Sequence, residues 1–449
     1  MDNSKQATLE LGTKPVGKLL MQYALPAIAA MTAASLYNMT DSIFIGQGCG
    51  ALAISGLAIT FPLQNLGAAF GAGVGVGAST CISVRLGQKD YDTAERVFGN
   101  AVTLNLIIGV AFSIITLLFL NPILMFFGAS EATLPYAREY MVITLAGNVI
   151  SHMFFGMNAI LRAASKPRSA MMASIMTVIL NAILSPIFIW PLRMGIGGAA
   201  LATIIAQFCV LMWQLRIFSN PQCIVHFKRG IYRPVGRIIK NILAIGMSPF
   251  AMNVCSCIVI IFINNALTLY GGDLAVGAFG ICNKIVFIFV MINMGMNQGM
   301  FPIAGYNYGA RNYDRLLTVL KYTMIIATCI TTLGWVIAQT LPYECAHLFT
   351  TDETLIKIAE RSIRITMLIF PVVGIQMVCT GFFQSIGKAK ISMLLSLSRQ
   401  LLFFLPMLLV LPHFYQVDGV WMAQPISDVI SVVVAATMLA RYIKKFKKA

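Results

Sequence analysis

Two carboxylates and two cationic side chains stand inside stretches that are otherwise apolar: Asp41, Asp428, Lys284 and Arg399. A charge in hydrocarbon is costly, so each marks a functional-site candidate and needs a partner or a proton. Asp41 has Tyr37 one turn before it and no cationic residue close to it in the chain. A proton, rather than a fixed counter-ion, is therefore expected to neutralise it, and gain and loss of that proton is its chemistry. Asp428 lies about ten residues into the last apolar stretch, roughly 15 Å deep. Lys284 sits at a similar depth, and an ion pair with Lys284 or with Arg399 is expected to balance Asp428. No nucleophile–base pair and no set of metal ligands occurs within the apolar stretches, so the chain reads as a carrier without cofactor rather than an enzyme. Its ten cysteines show no metal-binding spacing and read as small apolar filler.

The elements that position these groups are membrane helices. Of the 449 residues 58% are hydrophobic and 11% charged, with a mean hydropathy of +0.81; soluble domains carry about 25% charged residues. A span needs roughly 20 apolar residues. Dividing the apolar windows at Gly, Pro and polar punctuation predicts twelve spans, near 17–46, 52–82, 95–121, 133–161, 168–191, 196–218, 238–270, 274–303, 315–341, 355–386, 389–411 and 419–441. The first carries Pro26, where a missing backbone donor and a crowding ring favour a bend. The polar start of the chain carries no cleavable leader pattern. With the N-terminus inside, 25 of the 32 Lys and Arg fall in cytoplasmic segments and five outside, which leaves Lys284 and Arg399 within spans. That bias places both termini in the cytoplasm. The net charge of +16 thus reports membrane topology and not a nucleic-acid partner.

The chain repeats itself at an offset of 222 residues. Gly87–Asp92 reads GQKDYD and Gly309–Asp314 reads GARNYD; the segment from Phe127 (FGASEATLPYAREYMVIT) matches that from Phe349 (FTTDETLIKIAERSIRIT). Ser165–Met171 (SKPRSAM) likewise matches Gly387–Met393 (GKAKISM). Spans 1 and 7 align at Pro26 and Pro249, a register that sets Asn264 opposite Asp41. An even number of spans per half makes this a parallel duplication: an N-lobe of residues 1–218, a basic cytoplasmic linker of 219–237, and a C-lobe of 238–449. Transporters are commonly built from such repeats and alternate access by rocking one against the other.

Over essentially its full length the chain resembles the multidrug and toxic compound extrusion (MATE) family. The resemblance is carried by P-x14-DSIFIG in span 1, GVGVGAST followed by GQKD after span 2, NAILSPIFI in span 5 and GIGGAALAT opening span 6. The second half adds QGMFPIAGYNYGA and GVWMAQPISD. It implies an all-α protein of twelve helices in two six-helix lobes around a central cleft. It further implies export of organic cations and amphiphilic drugs against H⁺ or Na⁺. On the matching positions the coupling acid falls on Asp41, with Tyr37, Asn158, Asn181 and Thr203 around it. Many relatives carry a second acid where this chain has Ser185. The second-lobe acids of Na⁺-coupled relatives are also missing, since no carboxylate lies between Lys240 and Asp273 or between Arg364 and Lys388. Protons are thus the expected coupling ion, with Na⁺ held at Asp41 as the alternative. In the C-lobe, Asn253 and Gln376 are polar candidates for facing the cleft, although interhelical hydrogen bonds are the commoner use.

A lipid-linked saccharide flippase of the wider superfamily is the competing reading, because Lys284 and Arg399 would leave the C-lobe with cation to spare for a pyrophosphate headgroup. A monomer is the expected oligomeric state.

Overall fold

The computed structural model describes residues 9–49, 51–127, 129, 131–349 and 353–446, without the side chains of 34–43, 46–49, 51, 52, 54, 55, 58, 257, 268, 273, 445 and 446. The side chains of Asp41 and Tyr37 therefore lie outside the described residues. The described chain is helical throughout its apolar stretches, as hydrocarbon demands of a backbone that must satisfy its own hydrogen bonds. The first six spans are α1 (Val16–Cys49), α2 (Ala51–Gly87), α3 (Tyr91–Leu118), α4 (Leu134–Ala146 and Asn148–Ala163), α5 (Pro167–Ile189) and α6 (Gly195–Phe218). A second run, Gly236–Gly309, breaks at Gly272 (φ 67°) into α7 and α8. After α9 (Tyr313–Thr340) and α10 (Glu353–Thr366 and Phe370–Ser385), α11 opens at Ala389, and α12 follows a break at Gln416 (φ 51°) and ends at Phe446. Among the described residues, all twelve expected spans are thus helical.

The duplication is written in the backbone. Lys89 and Arg311, 222 residues apart, both take the left-handed conformation, at φ 60° and 57°. The next residues, Asp90 and Asn312, cap α3 and α9 by accepting from the backbone N–H of Thr93 (3.1 Å) and Arg315 (3.4 Å). Such caps satisfy donors that the first helical turn leaves orphaned. Hydrogen bonds from Thr93, together with nearby Arg85 and Arg96, hold the Asp90 carboxyl below its ordinary range. Ser165 and Gly387 form a second pair with φ of 62° and 75°, ending α4 and α10. Both of these helices are also bent, by 57° around Gly147 and by 54° around residues 367–369.

By internal contact the chain divides into two units, one of Met1–Lys14 and Ala29–Phe250 and the other of Pro15–Ile28 and Ala251–Ala449. Two of the three divisions, after Ile28 and after Phe250, fall within two residues of the aligned prolines Pro26 and Pro249 and lie inside α1 and α7. Within the first unit Gly77 of α2 lies against the Ile242 carbonyl of α7, with no room for a Cβ. Within the second, a Cβ on Gly299 of α8 would stand 2.6 Å from Ala24 Cα of α1. The basic linker is strapped to α3: Asn100 Nδ2 donates to the carbonyls of Arg233 (3.2 Å) and Ile231 (3.4 Å), and Val235 N–H donates to Asn100 Oδ1 at 2.9 Å. Lys228 lies 3.3 Å from Glu95, and Phe98 packs between Phe218 and Phe227.

Candidate functional site

In the first unit, the polar groups of α5 and α6 find each other. Asn181 is fourteen residues along α5 and Ser185 one turn further, so both lie on one face. Asn181 Nδ2 donates to Thr203 Oγ1 of α6 at 3.0 Å, and Ser185 Oγ donates to Asn181 Oδ1 at 3.1 Å. Thr203 in turn donates to the Ala199 carbonyl at 3.1 Å. Asn181 and Ser185 are buried, and the group carries no charge. Three residues carried over from the family resemblance are therefore brought together. Their neutrality means that nothing within the group demands a counter-ion.

Asn158 is not part of this hydrogen-bonded group. Its Nδ2 donates to the Ala170 carbonyl (3.0 Å) and to Ser174 Oγ (3.2 Å), while its Oδ1 accepts from Arg162 Nη1 at 2.6 Å. The reason is local: Arg162 follows Asn158 by four residues on α4, and its guanidinium takes up the amide oxygen. A residue that sequence reasoning missed shares a helix face with Thr203. Gln207, one turn beyond Thr203 on α6, accepts from Ser151 Oγ of α4. The four-residue step from Thr203 to Gln207 was the available signal, since it places both on one helix face. His152, next to Ser151, is fully buried, and neither ring nitrogen has a hydrogen-bond partner among the described residues.

The second unit settles the partner of Asp428. Arg399 Nη1 stands 3.7 Å from Asp428 Oδ1, and Gln424 Nε2 lies 3.2 and 3.0 Å from the two carboxylate oxygens. Lys284 is not the partner: its exposed side chain places the ammonium 5.5 Å over the Phe349 ring. A long flexible stem lets a lysine carry its charge away from buried surroundings. Of the two C-lobe cations on which the flippase reading rested, Arg399 is thus engaged by Asp428, while Lys284 lies over Phe349. Arg399 is presented by a π-helical turn, Ser398–Phe404, within α11. Such insertions are rare and frequent at functional sites. Ser427 Oγ of α12 donates to the Arg399 carbonyl at 3.0 Å, and Gln400 Nε2 donates to Ser256 Oγ of α7 at 2.8 Å. Of the other C-lobe candidates, Asn253 and Asn264 are exposed, and Gln376 is buried and hydrogen-bonded to Thr380 at 3.3 Å.

Comparison with known proteins finds relatives that match the chain over nearly its full length. The MatE family model matches residues 26–187 and 245–409. The multidrug export protein MepA of Staphylococcus haemolyticus is 27% identical over 418 residues, 93% of this chain and 92% of its own length. The protein of the same name from Staphylococcus aureus is 26% identical over 96% of this chain and 94% of its own. Among solved structures, an outward-facing multidrug resistance MATE family transporter of the MOP superfamily superposes with a TM-score of 0.92 at 26% identity, covering 98% of both chains.

Proposed function

From its membership of the MatE family, to which this twelve-span membrane transporter belongs, we propose that the chain exports organic cations and cationic amphiphiles by proton antiport with alternating access. Asp41 is the coupling group of this reading, and the Asn181–Ser185–Thr203 group is its neutral polar surround, with Tyr37 on the same helix. Pro26 is the place where α1 accommodates the change between loaded and empty states. The protein works as a monomer in the bacterial inner membrane with both termini in the cytoplasm. Small organic molecules, and no nucleic acid, are its partners.

One observation carries the choice of a single proton. Asp41 is the only carboxylate between Glu10 and Asp90, α5 and α6 contain none, and Ser185 donates a neutral hydrogen bond at the position where many relatives hold a second acid. One proton inward for one monocation outward is electroneutral, so the pH gradient alone drives the exchange. A membrane potential, which is worth about 2.3 kcal/mol per charge at 100 mV, adds nothing.

The test is ethidium efflux from cells expressing wild type or Asp41→Asn, under pH jumps with and without Na⁺. Efflux that follows the pH jump in wild type and vanishes in Asp41→Asn supports the reading. Efflux that follows a Na⁺ gradient at constant pH transfers the coupling role to Na⁺, and full activity in Asp41→Asn removes Asp41 from it.

A further inference from the structure

The Asp428–Arg399 pair lies within the second unit and has no part in the coupling scheme above. Its geometry is that of an exchangeable contact. Charge-assisted N–H···O bonds close to about 2.7–2.9 Å, whereas Arg399 Nη1 and Asp428 Oδ1 stand 3.7 Å apart, beyond hydrogen-bond distance. The carboxylate does not depend on the guanidinium for its orientation, because Gln424 Nε2 lies within 3.2 Å of both oxygens. It stays aimed when the guanidinium leaves. Accessibility is graded across the pair: the Arg399 side chain keeps 19% of its exposure and that of Asp428 only 7%. The arginine is thus the more exposed partner and the carboxylate the more buried one.

Two further polar atoms are left open on the same elements. Trp421 lies three residues before Gln424 and seven before Asp428, on the same face of α12. Its indole N–H is buried without an acceptor among the described residues. Gln400, next to Arg399 in the π turn, keeps a buried Oε1 without a donor among the described residues. The carboxylate and the amide oxygen are acceptors of the kind that the N–H groups of an organic cation require, and an indole ring attracts such a cation through its face.

We propose that Asp428 is a binding carboxylate for exported organic cations, and that Arg399 is a tethered competitor which occupies it when no substrate is bound. The proposal rests on the efflux function inferred above. It makes a prediction of sign that a purely structural ion pair does not. Removing the carboxylate weakens cation binding, whereas removing the competitor strengthens it, although both changes break the same pair.

The experiment is ethidium binding to purified full-length protein in nanodiscs, followed by fluorescence anisotropy, for wild type, Asp428→Asn, Arg399→Gln and the double variant. Asp428→Asn is expected to bind at least about tenfold more weakly, since a desolvated carboxylate partner is lost. Arg399→Gln is expected to bind about tenfold more tightly, as expected when a resident cation no longer occupies the site. The double variant, which leaves no bare charge behind, should bind as weakly as Asp428→Asn. If thermal unfolding shows that Arg399→Gln does not fold, Arg399→Lys replaces it; it keeps the charge, loses the planar fork, and is expected to bind roughly threefold more tightly. Equal weakening by both single changes with recovery in the double variant makes the pair structural and overturns the proposal. Wild-type binding that Asp428→Asn leaves unchanged overturns it while sparing the efflux function. Wild type that neither binds nor exports ethidium overturns both.

Discussion

Two intramembrane polar groups, one in each unit, are held in different electrical states. In the first, Asn181, Ser185 and Thr203 satisfy one another through neutral hydrogen bonds; in the second, Asp428 is balanced by a cation and fixed by a neighbouring amide. The backbones that carry them are nevertheless closely matched, down to the left-handed turns at Lys89 and Arg311 and the bends of α4 and α10. A turn is set by local torsions, which each copy of a repeat can meet on its own. A buried charge needs a partner at one place only, so charge is where two copies of one plan part company.

The sharpest way to break this contrast is to add a charge to the neutral group on α5 and α6. Ser185→Asp restores a second acid beside Asn181 and is expected to admit a second proton per cycle. Export of a monocation then becomes electrogenic, and a 100 mV potential shifts the attainable gradient by roughly fiftyfold. Uptake into inverted vesicles, at zero pH gradient and with the potential clamped, reads this directly. Wild type should be indifferent to the potential and the variant sensitive to it, and a wild type that already responds would defeat the one-acid count.

A smaller effect tests the similarity rather than the difference. Gly77→Val and Gly299→Val each force a side chain against a neighbouring backbone, Ile242 in one unit and Ala24 in the other. Each is expected to cost about 1–3 kcal/mol, seen as similar drops in thermal midpoint. A large drop for one and none for the other would show that the two packings are not equivalent.

The smallest effect separates the two caps. Asp90→Ala and Asn312→Ala should each cost about 1 kcal/mol at neutral pH. On acidification they diverge. The Asp90 carboxyl titrates below its ordinary value of 3.8, so its contribution is complete above that value and is lost as pH falls through the depressed one. Asn312 does not titrate. Amide exchange at Thr93 and Ala94 should therefore accelerate, relative to Arg315 and Leu316, only under strong acid, and an equal response at both caps would count against the assignment.

Much of this architecture was legible in the residues. Twelve spans follow from hydropathy because the bilayer sets a length, and the repeat could be read from GQKDYD and GARNYD before any torsion was known. The gathering of Asn181, Ser185 and Thr203 was available through family resemblance. Partner choice was not legible. Sequence placed Lys284 and Arg399 equally well for Asp428, and only the side-chain geometry sends Lys284 to Phe349 and leaves Arg399 at the carboxylate. The π turn that presents Arg399 breaks helical periodicity, so no 3.6-residue pattern announces it. Asn158 was drawn away from the expected group by Arg162, an interaction whose i, i+4 spacing is visible but whose rotamer is not. The strap of Asn100 on the linker joins residues more than 130 apart, a separation that no local pattern spans.

The division of α1 has a consequence for biosynthesis. Residues Pro15–Ile28 pack with the second unit, where Gly295 and Gly299 receive Ile28 and Ala24. Those glycines leave the ribosome some 270 residues after the segment they hold. At synthesis rates of about 5–20 residues per second, the opening turns of the chain wait many seconds in the nascent bilayer before their berth exists. That interval is when a chaperone or an insertase has most to do.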